Sequence, residues 1–495
     1  MHSPLPKLRS LTAYAALIPI IAGLALSHIA MIVSGLSGLT SGFEVLSSGL
    51  GTGIASVPIL VAMVVLYKAR SPLSQRSVDA AFFISIAVQC ASIAALGLLA
   101  AKAPSASIGL SAIASLSSWI SILSWLRRMQ AASSIAAVIV TFGALSIAEP
   151  IVYAFVLMPS DDACLVAGLL ALLQLPLALY VSKRGPLACP VEEAPSTGYF
   201  GFESAKTDNP RLFLTMTVSI SALSFAMGVV EGSPFRFVEG GAPLPDASYL
   251  VVTTAVTVGI AIGAILRPRT MMTTGIWILM QGLGITALLF YAAFPERLSI
   301  GAAVSTTLSA VMTGLVWYLI MAFSHYGTKD PFFYGLAGWL AYLLPRALVQ
   351  IVVGHTPGPF LSDPTLLAAL SGAMILASTQ FVFIRLLKTA YSDTDAAQES
   401  TQRLEKLLGL KGAQMSGASM RKELILHDAG KLQKEFGLSD REAEVIGLYA
   451  LGKTQQAIAE DLCITPATVR VHIKHVYAKT DLHSRQEIID RMNSF

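Results

Sequence analysis

Charge is scarce in this chain. Asp, Glu, Lys and Arg supply 13% of its 495 residues, about half the ~25% usual in soluble globular domains. Apolar residues make up 54% and mean hydropathy is +0.66. Together these exclude a large soluble protein with an ordinary core. Cysteine is scarce too: Cys90, Cys164, Cys189 and Cys463 share no close spacing, and no CxxC occurs. Neither a zinc site nor a disulfide framework is therefore indicated. A phosphate loop, a catalytic triad and a metal cluster are also missing, so the sequence predicts a protein that is not an enzyme and uses no metal or cofactor. The last absence is local. Acid is missing from Thr465 to Lys479, although segment 436–495 holds eight acidic residues against seven basic ones.

Long apolar runs are what the chain has in abundance. Twelve spans are predicted, at 11–34, 45–67, 78–101, 106–126, 131–157, 163–182, 211–231, 248–266, 271–294, 298–324, 331–354 and 364–387. Crossing a bilayer takes ~20 apolar residues per helix. Backbone groups in lipid must be satisfied within the segment, so continuous runs of this kind must be helices. The first run extends from near Leu11 past Ala30. That exceeds the ~7–15-residue core of a signal peptide, which predicts a retained span.

Lys and Arg alternate between the loops. One side collects Lys7, Arg9, Lys68, Arg70, Arg76, Arg127, Arg128, Lys183, Arg184, Lys206, Arg211, Arg267, Arg269, Lys329, Arg385 and Lys388. The other holds only Lys102, Arg236 and Arg297. Basic loops stay inside, so a multi-pass protein of the cell membrane with both termini cytoplasmic is expected. Loop 183–210 divides the membrane domain, 1–388, into halves 11–182 and 211–387. This 6+6 layout resembles the major facilitator superfamily, which implies two halves moving about a midplane cavity. The loop after span two, YKARSPLSQR, lacks the Gly-x-x-x-Asp signature of typical transporters in that superfamily.

Two ionisable residues fall inside spans, each beside a proline: Glu149 before Pro150 and Arg346 after Pro345. A charge at the bilayer centre costs at least ~2.5–3.5 kcal/mol and usually faces a cavity or another charge. Glu149 and Arg346 are thus the candidate lining of a cavity for an unknown anionic or amphipathic small-molecule ligand. A structural ion pair, or a position nearer the membrane interface, is the alternative. His28 is expected to pack between helices. The tryptophans either anchor at interfaces or line the cavity.

A polar linker is expected at 389–435, with amphipathic stretches around 401–410 and 419–436 separated by GLKGAQMSGAS. The closing segment, 436–495, reads as four short helices. Ser439 and Glu442 form a capping box ahead of a helix with Val445, Ile446 and Tyr449 inward, and Gly452 ends it. A second helix, 454–462, carries Ile458, Ala459 and Leu462 on one face. Thr465 caps a third, with Pro466 at its first position. There Val469, Ile473 and Val476 form the buried stripe. Arg470, Val471 and Lys474 share another face, and His472, His475 and Lys479 add donors.

Segment Leu438–Arg485 resembles the LuxR-type helix-turn-helix. The residues that carry the resemblance are Leu438-Ser439, Arg441-Glu442, Val445-Ile446, Gly452, Ile458-Ala459, Leu462, Thr465, Thr468-Val469-Arg470, His472, Lys479 and Ser484-Arg485. Ala457 and Asp481 depart from the pattern, which usually has an acid at the first and Gly or Asn at the second. The resemblance implies that Arg470, Val471 and Lys474 contact bases in the major groove, and that Thr468 and His472 make phosphate or register contacts. It also implies that Ile488, Ile489 and Met492, on a helix at 484–493, pair two modules as a homodimer.

The fold class expected is all-α, a twelve-span bundle followed by a cytoplasmic four-helix module. The leading functional expectation is a membrane-embedded one-component regulator that senses a ligand and binds double-stranded promoter DNA. A transporter with a regulatory tail, a passive membrane anchor and a protein-interaction bundle are the alternatives.

Overall fold

The computed structural model describes residues 16–36, 44–69, 71–99, 104–130, 132–184, 210–232, 248–266, 271–294, 298–355, 364–391, 429–451, 453–462 and 464–493. Among these no strand occurs, and every regular element is a helix. It divides into two compact units, residues 1–387 and 388–495.

The first unit is a bundle. Its helices are α1 Ile18–Leu36, α2 Glu44–Lys68, α3 Gln75–Leu99, α4 Pro104–Arg127, α5 Ser134–Val156, α6 Ser160–Leu172, α7 Gln174–Arg184, α8 Pro210–Gly232, α9 Ser248–Leu266, α10 Ile276–Ala293, α11 Leu298–Tyr326, α12 Pro331–His355 and α13 Pro364–Tyr391. Eleven spans among the described residues are long and apolar enough to cross a membrane, with α6 and α7 forming one of them, Asp161–Lys183. At the twelfth expected span lies α13, whose described apolar stretch is the shorter Ala369–Val382. The protein is a multi-pass membrane protein. The dividing loop, 183–210, lies almost wholly outside the described residues.

Two spans depart from plain helices for local reasons. Span six breaks between Leu172 and Gln174. Pro176 has no N–H to give the Leu172 carbonyl and its ring crowds that oxygen, so the helix stops there. Gln174, placed at the break, is fully buried in a polar knot. Its Oε1 accepts from Ser27 at 2.6 Å and Ser121 at 2.9 Å, and its Nε2 donates to Gln89 Oε1 at 2.9 Å. Span nine opens with a π-helical turn, Met271–Gly275.

The bundle is organised around α11. In that helix 89% of the span Ser299–Tyr326 is buried, against 28% of Gly49–Lys68 in α2. The second figure suits a helix whose outer face meets lipid. At the basic-loop end, Arg127 of α4 donates from Nη1 to both Asp330 oxygens, at 2.8 and 2.9 Å. Asp330 also accepts from the Leu73 and Phe332 amides at 2.9 Å. A buried carboxylate with this many donors is satisfied, and it ties the first half to the α11–α12 connection. Beside it, Arg128 pairs with Asp79 at 2.7 Å.

The second unit contains α14 (residues 429–436), α15 Asp440–Ala450, α16 Gln455–Asp461, α17 Pro466–Thr480 and α18 Arg485–Asn493. α14 thus overlaps the end of the stretch expected as linker, 389–435. Ala429 and Leu432 of α14 are buried with Ile446, Val476 and Ile488 in one cluster. Val445, Ile458, Val469 and Ile473 form a second. The stretch 401–410 and the GLKGAQMSGAS joint lie outside the described residues.

Candidate nucleic-acid interface and the inter-helix cavity

α17 is built as its sequence suggests. Thr465 is the N-cap, its side chain accepting from the Thr468 amide, and Pro466 occupies the first turn. Capping and the missing proline N–H together leave fewer amides orphaned at that end. Val469, Ile473 and Val476 are buried beneath it. Arg470, Lys474 and His475 are exposed on the outside, as are Thr465 and Thr468. Between the cations stands Val471, 50% exposed. Among the described residues it is the sole large apolar side chain of the second unit left so open. The outer face of α17 thus presents two cations and a methyl-bearing side chain, with no carboxylate from its own helix to oppose an anion.

Lys479 is held differently from the other cations. Its Nζ donates to Glu442 Oε2 at 2.7 Å and reaches the Gly437 carbonyl at 3.5 Å. Glu442 is buried, accepts from the Ser439 amide at 2.7 Å, and has His475 Nδ1 at 3.8 Å. The Lys479 hydrogen bond, helped by that from Ser439, lowers the Glu442 carboxyl from 4.5 to about 2 against the opposing effect of burial. The capping box, present as expected, is therefore also the socket that anchors the far end of α17. The sequence showed the cap; only folding brings residue 442 to residue 479. His472 is half-buried, and its Nδ1 has no hydrogen-bond partner among the described residues.

The dimerisation assignment needs one correction. Ile488 is fully buried within its own module, against Leu432, Ile446 and Val476. A side chain already covered on all sides has no surface left for a partner, so Ile488 is core. The side chains of Ile489 and Met492, and residues Gly452 and Cys463, lie outside the described residues.

In the bundle, Glu149 and Arg346 occupy separate environments. Glu149 is buried in α5 and accepts from Tyr249 OH at 2.5 Å, with His28 Nε2 at 3.1 Å. His28 also stands edge-on to Trp317, with ring centroids 5.3 Å apart. Its expected packing role thus includes pairing with a carboxylate that the sequence could not assign to it. Arg346 instead lines a cavity of about 270 Å³, together with Thr52, Ser111, Ser115, Thr313, Tyr342 and Gln350 among others. Glu149 is not on that wall. Of the tryptophans, Trp339 lines the cavity, donating to Ser56 Oγ at 2.8 Å. All five, Trp119, Trp125, Trp277, Trp317 and Trp339, are fully buried rather than spread along an interface. Among the described residues no group of three His, Cys, Asp or Glu could hold a metal ion.

Residues 437–492 match the family described as bacterial regulatory proteins, luxR family. The closing module is a LuxR-type helix-turn-helix domain. A stretch of 103 residues is 29% identical to a monoamine regulon transcriptional regulator of Klebsiella aerogenes, covering 20% of this chain and 40% of that protein. The chain thus spans about two fifths of that relative's length. Over 75% of this chain and 99% of the other, the structure is similar to the Major Facilitator Superfamily transporter FucP in its outward conformation, at 14% identity and a TM-score of 0.43. The nucleoside transporter NupG is similar at 13% identity and a TM-score of 0.39, over 77% of this chain and 100% of that one. Within the LuxR-type domain the departure at Asp481 has a physical basis. Asp481 caps α17 with φ 55°, in the left-handed region. Gly and Asn enter that region at least cost, and Asp can also do so.

Proposed function

We propose that this protein is a transcriptional regulator embedded in the cell membrane, with the LuxR-type domain on the cytoplasmic side. α17 docks in the major groove of promoter DNA. Arg470 and Lys474 address base edges, with an arginine fork matching guanine O6 and N7. Val471 meets the methyl of thymine. Thr465 and Thr468 at the capped N-terminus contact phosphate, which positions the helix without specifying sequence. Two modules bind as a homodimer on half-sites about one helical turn apart. The bundle is the sensor. A ligand acts on it by binding one conformation better than another, and no enzymatic step is involved.

The observation that carries this reading is the outer face of α17, where exposed Arg470 and Lys474 flank half-exposed Val471 on an acid-free helix. It is tested by mapping promoter occupancy in cells with Arg470→Ala/Lys474→Ala. Occupancy should vanish while the protein remains in the membrane at normal abundance. Undiminished occupancy would sink the proposal.

A second reading, a transporter with a regulatory tail, draws on the cavity between the helices. Uptake into vesicles carrying the purified protein, abolished by Arg346→Gln, would favour it over a sensor.

A further inference from the structure

We infer that Glu149 and His28 form a proton-binding site in the core of the bundle, where the pair takes up and releases one proton as a unit. As an input of the regulator it rests on the function proposed above.

The site is built where residues from both sides of loop 183–210 meet. His28 comes from α1 and Glu149 from α5, while Tyr249 comes from α9 and Trp317 from α11. All four are buried, Glu149 at 6% exposure and His28 at 2%. Tyr249 OH donates to Glu149 Oε2, and His28 Nε2 lies 3.1 Å from Oε1. The other imidazole nitrogen, Nδ1, is a buried atom with no hydrogen-bond partner among the described residues.

The helices packed on α1 and α5 bring few other ionisable groups to the pair. α9 gives Tyr249, and Tyr153 of α5 stands behind it with ring centroids 6.0 Å apart. α11 gives Trp317, which does not ionise, and beside it the buried Tyr318. α3 and α6 carry the buried thiols Cys90 and Cys164. Cys164 Sγ lies 3.9 Å from the Val33 carbonyl, more than one turn along α1 from His28. The charged residues of α2, α3, α4, α6 and α7 stand near the helix ends: Glu44, Lys68, Arg76, Asp79, Arg127, Asp161, Asp162, Lys183 and Arg184. His325 likewise stands at the end of α11. Among the described residues the imidazole is therefore the one group in contact with Glu149 that can carry a positive charge.

Three protonation states fit this geometry. With Glu149 ionised and His28 neutral, Nε2–H and Tyr249 OH both donate to the carboxylate, and Nδ1 carries only a lone pair. Every donor is then used, but the pair holds a net negative charge in a core surrounded by lipid, which is costly. One added proton removes that charge. It makes either an imidazolium beside the carboxylate or a carboxylic acid that donates to Nε2. In both, Nδ1 bears a hydrogen with no acceptor among the described residues, and an unmade buried hydrogen bond is costly too. The proton-free pair thus carries an excess charge and the proton-bound pair an orphan donor. Neither state escapes a penalty, so the two lie close and the proton exchanges. It belongs to the pair rather than to either residue. Uptake as the carboxylic acid also turns the Tyr249 bond from charge-assisted to neutral, which about halves its strength and loosens α5 from α9.

The test uses the full-length protein in lipid nanodiscs, stepped between about pH 8 and about pH 5, the window in which histidine sites exchange protons. Infrared difference spectra report the carboxyl, and nitrogen NMR of histidine-labelled protein reports the imidazole. In the wild type a carboxyl or an imidazole signal should titrate reversibly, and that titration should vanish in Glu149→Gln and in His28→Gln. Either variant alone suffices for the assignment, because each removes one partner of the pair. Tyr249→Phe removes a donor that favours the ionised carboxylate, so the proton affinity of the site should rise about tenfold or more, the equivalent of one hydrogen bond to a charged group. A bond that is merely structural would give no titration to shift. The wild type is read first, so a variant that fails to fold cannot hide the answer. A wild type in which neither signal titrates in this window overturns the inference. So does a titration that survives the loss of Glu149 or His28, or one that Tyr249→Phe leaves in place. Proton binding is read here without DNA. Its failure leaves promoter occupancy untouched, and lost occupancy in the α17 variants leaves the site standing.

Discussion

Lys479 Nζ lies 2.7 Å from Glu442 Oε2, joining the last turn of α17 to the first turn of α15. Lys479 is 42% exposed at its side chain and Glu442 only 6%, so the cation covers the carboxylate. Lys479→Ala should leave a buried carboxylate with the Ser439 amide and a distant His475. The expected cost, discounted for the exposed partner, is about 1–3 kcal/mol of module stability. Chemical denaturation of segment 388–495 measures it. An unchanged midpoint would show that Lys479 is held there by nothing of consequence and leave it available to phosphate.

The same pair sets a pH dependence. The Glu442 carboxyl is lowered from 4.5 to about 2 in the folded module, first by the Lys479 hydrogen bond. A depressed carboxyl binds its proton more readily in the unfolded chain. Its contribution is therefore fully present above about pH 5 and declines as pH falls through 4.5 toward 2. Glu442→Gln should flatten that part of the stability profile. Thermal midpoints of wild type and variant between pH 7 and pH 3 should converge on acidification; parallel curves would refute the assignment.

Asp481 holds a left-handed backbone at φ 55° and is fully exposed at its side chain. Asp481→Gly removes the Cβ strain at that position, worth about 1 kcal/mol, and loses only the exposed 4.0 Å contact of Asp481 Oδ1 with His483 Nε2. The variant should be slightly more stable and bind DNA as before. A loss of stability would mean that the Asp481–His483 contact outweighs the backbone strain.

How much could be read in advance follows the range of each interaction. Ser439 with Glu442, Thr465 with Thr468 and the Val469–Ile473–Val476 stripe are set within four to seven residues of chain, and a helical period displays them. The break at Leu172 was equally local, since Pro176 stands four residues on, yet the apolar run concealed it. The partners of Glu149 were not legible. His28 and Tyr249 are 121 and 100 residues away, and no spacing rule joins them. For the same reason Glu149 and Arg346 looked equivalent in sequence, both intramembrane and both beside proline, while folding set Glu149 against His28 and Tyr249 and placed Arg346 beside Tyr342 on a cavity wall. Ile488 was misread because a helix with two adjacent isoleucines does not say which one faces inward.

The buried pair in the bundle makes its own prediction. Glu149→Leu removes the acceptor of Tyr249 OH and leaves His28 facing hydrocarbon, so the purified protein should lose several degrees of thermal stability in detergent. Glu149→Gln keeps an acceptor oxygen for Tyr249 and should lose less, by the rule that an unmade buried hydrogen bond costs about 1–3 kcal/mol. Equal losses in the two variants would place the contribution in the charge rather than in the hydrogen bonds.

Val471 gives the narrowest test of the DNA reading. An aliphatic side chain 50% exposed between two cations contributes little to folding, so Val471→Ser should leave the denaturation midpoint within about 0.5 kcal/mol of wild type. On DNA the outcome differs from that of its neighbours. Arg470→Ala should remove about 1–3 kcal/mol of discrimination at one guanine. Any phosphate-contacting residue lost should instead weaken all sequences alike and lower the salt slope by about 0.9. Val471→Ser should do neither. It should abolish the preference for thymine over uracil at a single position, because the two differ only in the methyl that valine would touch. Selection on duplexes with thymine or uracil substituted position by position reads this directly. If wild type and Val471→Ser show the same thymine preference at every position, α17 does not enter the groove in the orientation proposed here, and the base-contact roles of Arg470 and Lys474 fail with it.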